Sequence, residues 1–442
     1  MKDISLKTIE EFRAATAASP LDHAISNALS KHNVKDISFT NRGLDETQFQ
    51  FSVNVPTMAA TNQMQSGRCW IFAALNVLRE EVAAKCNLEK FELSQNYTAF
   101  WDKFEKINFF YEAMIELADR PLDDRLVTFL LDGGIGDGGQ WNMLVNVVEK
   151  YGVVPKAAMP ETFQSSHTRD MNRLINVLLR KGALDLRKAV AAGEDAEAVK
   201  DGYLKDAYRL LTMCFGEPPK AFDFEYTDKD KVYHVDRGLT PHTFYEKYVG
   251  LDLRNDFVGI INSPTEDKPF YRNCTIDYLG NVAGAPPVTY LNLPMEEMKS
   301  LIVRQLEAGE PVWFGSDVGF MGEREMGLWS DGIYDFDGTL GIDFGMTKEA
   351  RLNFRDSAMN HAMVITGVNL DAEGCPDRWK IQNSWSEERG EKGYYVMNAG
   401  WFDKFVYQAV IAKKYLTDAQ LAGLATEPLH FMPWDPMGTL AD

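Results

Sequence analysis

Long apolar runs are missing from this chain: no stretch approaches the roughly 18 to 20 uninterrupted apolar residues that a membrane-spanning helix needs. The start, Met1 to Leu6, leads into neither an apolar signal core nor a small-residue cleavage site, so the cytoplasm is the expected location. Cysteine is scarce and scattered. The five (Cys69, Cys86, Cys214, Cys274, Cys375) are odd in number and never form Cys-x-x-Cys, which argues against a disulfide framework and a zinc site and fits a reducing compartment. No metal and no cofactor is expected. Positive charge is also short, with 46 Lys and Arg against 65 Asp and Glu and a net charge of −19, the wrong sign for holding phosphates. Neither nucleic acid nor a membrane is an expected partner. Internal repeats and low-complexity tracts are absent as well.

What is present has the composition of a soluble globular chain, 45% hydrophobic and 25% charged. At 442 residues it exceeds one typical domain, so a core carrying large insertions, or two to three subdomains, is expected. A short helix is expected around Lys7 to Ala17, and the alternation Phe49-Gln50-Phe51-Ser52-Val53-Asn54-Val55 suggests a strand. From Cys69 the period turns helical, with Ile71, Leu75, Leu78 and Val82 on one stripe and Arg79, Glu80, Glu81 and Lys85 off it. Further helices are expected from about Ser94, over Gln140 to Lys150, and in the segment 166 to 216. Beyond about 286 the pattern turns to strands: Pro311 to Phe314, His361 to Val368, Trp379 to Gln382, Tyr394 to Met397 and Phe405 to Ala412. The proline-bearing tail from Glu427 reads as an extended arm.

Thiol peptidase chemistry needs a thiolate, a histidine to share its proton, a group that fixes the imidazole, and donors for the developing oxyanion. Cys69 opens a helix after Gln65-Ser66-Gly67-Arg68, where the helix dipole and a protonated histidine lower a thiol pKa, so a resting thiolate is expected. Gln63, six residues earlier, is the oxyanion donor alongside the Cys69 N–H. His361 opens a strand as the base, and Asn383 closes another as its orienting group.

These residues resemble the papain-like cysteine peptidases, whose signature is Cys-Gly-Ser/Ala-Cys-Trp/Tyr. Trp70 matches, while Ser66 and Arg68 depart from it, and the missing first cysteine again favours a reducing compartment. His361 follows Cys69 by 292 residues instead of the family's ~130 to 150, which implies an insertion of roughly 150. That insertion, the Gln-Ser-Gly-Arg-Cys-Trp loop, Asp137-Gly138-Gly139-Gln140-Trp141 and the ending Pro433 to Ala441 resemble the bleomycin hydrolase and aminopeptidase C branch over nearly the whole chain. The resemblance implies an α+β fold: a papain-like core of a helical lobe and a β-barrel-like lobe, a large helical and hook insertion, and a C-terminal arm in the active-site cleft. The divisions expected on this reading are an N-terminal extension 1–60, a helical lobe 61–165, the insertion 166–285, a β-rich lobe 286–425 and the arm 426–442.

The resemblance further implies a homohexamer and a broad-specificity cysteine aminopeptidase acting on small peptides with a free N-terminus. An oligoendopeptidase is the alternative, which the tail and not the active site decides. Gly138 and Gly139, with Asn360, are the implied substrate-binding residues, and Trp385 shields the Asn383–His361 bond. The carboxylate of Ala441, once Asp442 is trimmed, receives the substrate's ammonium.

Cys86, Cys214, Cys274 and Cys375 are expected to be buried small hydrophobes. The other six histidines are expected to be surface or satisfied groups. Gly134 to Gly139 also satisfies Gly-x-Gly-x-x-Gly, the mark of a dinucleotide-binding oxidoreductase, though Asp137 would repel a pyrophosphate.

Overall fold

The computed structural model describes residues 1–17 and 19–441. The helix Cys69–Cys86 lies at its centre. Its apolar stripe is buried as expected, but so are Phe72, Ala73, Ala74, Asn76 and Arg79, because the helix is packed between other helices and the sheet. Arg79, expected off the stripe, is 2% exposed, since its guanidinium donates to the Met58 and Ala59 carbonyls at 3.0 and 2.7 Å. Helix Gln95–Glu116 starts on Ser94, whose hydroxyl accepts the Tyr97 N–H at 3.0 Å. Helices Arg169–Ala192 and Ala196–Phe215 pack against it, burying Leu179, Leu186 and Leu211. A small hairpin, Phe222–Thr227 with Tyr233–Leu239, follows.

Among the described residues, twelve strands form one mixed sheet. Its centre runs Phe257–Ile261, Val406–Ala412, Val312–Ser316, His361–Leu370, Pro376–Gln382 and Tyr394–Asn398, each hydrogen-bonded to the next. Strands Phe257–Ile261 and Arg272–Ile276 belong to it, so the sheet reaches back ahead of residue 286, into the span expected to be helical. Their signal was weak because Val258, Ile260 and Ile261 form a short run buried on both faces, without alternation.

Two other expectations change. Of the 49–55 segment only Val53–Asn54 forms strand, paired with Val368 and Gly367, and the Val55 N–H adds one bond to the Thr366 carbonyl at 2.8 Å. Just before this strand the Ser52 hydroxyl accepts the Leu370 N–H at 2.9 Å, so a side chain takes the place of the ladder. The tail is not simply extended: Leu429–Phe431 pairs parallel with Cys274–Ile276, and Pro436–Ala441 closes into a 3-10 helix that buries Met437 and Leu440.

Candidate active site

Cys69 is the first residue of its helix, and two tryptophans pin that end. Trp70 Nε1 donates to the Asp137 carbonyl at 2.7 Å, and Trp313 Nε1 donates to the Trp70 carbonyl at 3.2 Å. On the facing strand, His361 is buried and the Ala362 N–H points at the Cys69 sulfur from 3.4 Å. His361 Nε2 lies 2.8 Å from Asn383 Oδ1, and that oxygen also accepts the Ser384 N–H at 2.8 Å. The second bond identifies the acceptor end of the carboxamide, so Nε2 carries the hydrogen and Nδ1 remains the basic nitrogen. Trp385 stacks on the imidazole, with ring centres 4.6 Å apart.

Gln63 reaches the same cleft, 7% exposed, with its Oε1 held by the Ser384 hydroxyl at 2.6 Å. One of its two amide hydrogens goes to the Ser66 carbonyl at 2.6 Å, which leaves the other for an oxyanion.

Burial acts against each charge of the pair. It pushes the Cys69 thiol up to about 11, although the N–H groups of Ala362, Trp70 and Cys69 oppose the shift. It pushes the His361 imidazole down to about 4 against the Asn383 hydrogen bond. Burial taken for each group alone thus opposes the resting thiolate expected from the helix position, while the N–H groups around the sulfur favour it.

The glycine loop closes the cleft on its other side. Asp137 ties it down with a buried Lys103 ion pair at 2.6 Å and by accepting the Gly67 N–H at 2.9 Å and Asn172 Nδ2 at 3.0 Å. Burial alone would raise this carboxyl, yet Lys103 and the hydrogen bonds hold it well below the usual range. The loop follows helix Arg125–Gly133 and not a strand, so the dinucleotide-binding pattern lacks its structural context. Gly139 must be glycine, because a Cβ there would meet the Trp70 ring at 2.4 Å. Its N–H donates to the Leu440 carbonyl at 2.9 Å, and Thr439 Oγ1 anchors the tail to the Met359 carbonyl at 2.9 Å. Ala441 lines a cavity of about 700 Å³ with Gly134, Ile135, Gly136 and Trp434, while Asp442 lies outside the described residues.

The Peptidase C1-like family model matches residues 3–438. The chain belongs to this family. It is similar to an aminopeptidase C from Streptococcus thermophilus, 46% identical over all of both chains. An aminopeptidase C from Lactobacillus delbrueckii subsp. lactis is 47% identical, covering 100% of this chain and 99% of the relative. The crystal structure of pepw from Lactobacillus rhamnosis superposes with a TM-score of 0.97 at 47% identity, covering 99% of each chain.

The structure of this C1-like peptidase brings Gln63, Cys69, Trp70, His361, Asn383 and Trp385 together, with Gly138 and Gly139 on the loop opposite. The Asn360 side chain braces a loop, accepting the Val318 N–H at 3.0 Å and donating to Asp317 Oδ1 at 2.5 Å, and its main-chain N–H donates to the Ser316 carbonyl at 3.1 Å, which leaves its carbonyl and second amide hydrogen for a substrate. The remaining cysteines divide: Cys86 and Cys274 are buried, Cys214 is half-buried, and Cys375 is exposed at the hydrogen-bonded turn that begins at Asp371. Sequence reasoning missed Ser384 as the support of Gln63 and Asp137 as the clamp on Gly67. Ser384 could have been found from its place beside Asn383; Asp137, 70 residues from Gly67, left no local trace.

Proposed function

We propose that the chain is a cysteine aminopeptidase that removes N-terminal residues from small peptides with broad specificity. In this reading the Cys69 sulfur attacks the scissile carbonyl while its proton passes to His361 Nδ1. The oxyanion takes the Cys69 N–H and the free Gln63 amide hydrogen. The imidazolium, oriented by Asn383, then protonates the leaving amine. Water, giving its proton to His361, attacks the thioester; the carbon–sulfur bond breaks, the acid leaves, and the imidazolium returns that proton to the Cys69 sulfur. Because burial disfavours each charge alone, the proton is passed within the Cys69–His361 pair and not exchanged with solvent.

The observation that carries the aminopeptidase reading is the Gly139 N–H bonded to the Leu440 carbonyl. The chain's own tail occupies the line along which an extended substrate would pair with the glycine loop, leaving room for little beyond the residue at the scissile bond. The relatives named aminopeptidase C, at 46 and 47% identity over full length, point the same way. An Ala441 carboxylate freed by loss of Asp442 would receive the substrate's ammonium. The same reading gives the papain-like division into a helical and a barrel-like lobe with an inserted unit, a cytoplasmic location and a closed homohexamer. Leu174, Val177 and Leu184, exposed at helical spacing along Arg169–Ala192, offer an apolar face for subunit contact. The test is one peptide offered with a free and with an acetylated N-terminus: the free form is cleaved and the blocked form is not. Equal rates reject the reading.

A further inference from the structure

On the His361 side of the cleft lies a second cavity, of about 510 Å³, which Gln63, Trp385 and Asn360 also line. Its walls reverse the charge of the molecule. Arg324 and Arg389 face it against one carboxylate, Glu388, in a chain whose net charge is −19. Of the two arginines, Arg389 is engaged, its Nε 3.4 Å from Glu325 Oε1. Glu323 is also occupied, its Oε2 accepting the Met326 N–H at 2.6 Å. Arg324 has no ion pair among the described residues. Its guanidinium carbon sits 4.7 Å from the centre of the Trp385 ring, the same ring that stacks on His361 at 4.6 Å. That position is not neutral for catalysis, because the positive charge opposes protonation of the His361 imidazole. A cation held there needs a use on the substrate side.

The chemistry of the cleft supplies one. With the N-terminal residue on the glycine-loop side, the leaving fragment passes His361 into this cavity. An extended residue spans about 3.4 Å, so a fragment of one or two residues brings its terminal carboxylate alongside the Trp385 ring. A guanidinium resting on an aromatic face keeps its in-plane N–H groups free for bidentate pairing with a carboxylate. We propose that Arg324 binds the C-terminal carboxylate of the leaving fragment, so that the enzyme selects dipeptides and tripeptides over longer or C-terminally blocked substrates. The proposal rests on the aminopeptidase reading, because it needs the amine-bearing residue on the opposite side of the scissile bond.

The experiment is steady-state kinetics of the full-length enzyme on a dipeptide with a free carboxylate and on the same dipeptide as its C-terminal amide. Wild type is compared with Arg324→Met, which keeps an apolar stem on Trp385, and with Arg324→Lys, which keeps the charge without the fork. Wild type favours the free acid. Arg324→Met lowers the acid-to-amide ratio of kcat/KM at least tenfold, through the KM of the acid, and Arg324→Lys recovers part of it. An unchanged ratio in Arg324→Met overturns the proposal. So does a parallel fall on both substrates with a displaced pH profile, since Arg324 would then act through Trp385 and His361. Wild-type enzyme that cleaves neither dipeptide overturns the aminopeptidase reading and the proposal with it.

Discussion

Around Cys69, each side chain of the cleft is held by a partner that leaves one reactive atom uncommitted: Nδ1 of His361, one amide hydrogen of Gln63, and the sulfur. Cys69→Ser and Cys69→Ala are expected to fold and to keep no more than a few per cent of peptidase activity, because an oxygen nucleophile is poorly activated here. Gln63→Ala lowers turnover by ~10²- to 10³-fold, and Asn383→Ala by less than the Cys69 variants do; initial rates on a free-amine peptide check all of these. The buried imidazole also sets a pH limb. With His361 pushed from 6.5 down to about 4, the base stays neutral well into acid, and kcat/KM falls only as the pH drops through about 4. Stability follows the same sign. Below pH 6.5 the unfolded chain takes up the proton first, so the folded state loses stability from there down to about pH 4. An activity limb at 6.5 would contradict the lowered titration of this ring.

Among the elements, the tail makes the sharpest difference to function. Deleting Leu440 to Asp442 removes the contact on Gly139, and the expected result is at least a tenfold loss on free-amine dipeptide amides together with new cleavage of longer N-acetylated peptides. A free-to-acetylated ratio unmoved by the deletion assigns specificity elsewhere. The long periodic helices, the strand that opens on His361 and the strand that ends just before Asn383 were legible because a single face or a local motif marks them. Phe257–Ile261 was not, since an all-apolar run of five carries no period. The two departures from the papain signature were visible as letters but not as a unit. Arg68, 1% exposed, donates through both terminal nitrogens to Glu161 at 3.1 and 2.9 Å and through Nε to the Ser66 hydroxyl at 3.0 Å. The Ser66 hydroxyl in turn donates to the Gln63 carbonyl at 2.6 Å. Both replacements therefore brace the loop that presents Gln63, through a glutamate 93 residues from Arg68 that no local reading connects to it.

At the level of the whole molecule, exposed apolar side chains on the Arg169–Ala192 helix and on the segment bearing Ile342, Phe344 and Phe354 suit burial between copies. Light scattering at micromolar concentration is expected to give about six times the 50.0 kDa chain mass, and a particle of one chain mass contradicts the assembly. The site itself has a further consequence, in time. Cys69 and the Ala362 N–H that meets its sulfur are 293 residues apart, and Gln63 and its Ser384 support are 321 apart. Closing loops of that length demands chain entropy before any catalytic contact forms, whereas the helices around the thiol need only neighbours. During refolding from denaturant, far-ultraviolet ellipticity should recover first and peptidase activity last, so an intermediate rich in helix carries the thiol with no partner to activate it.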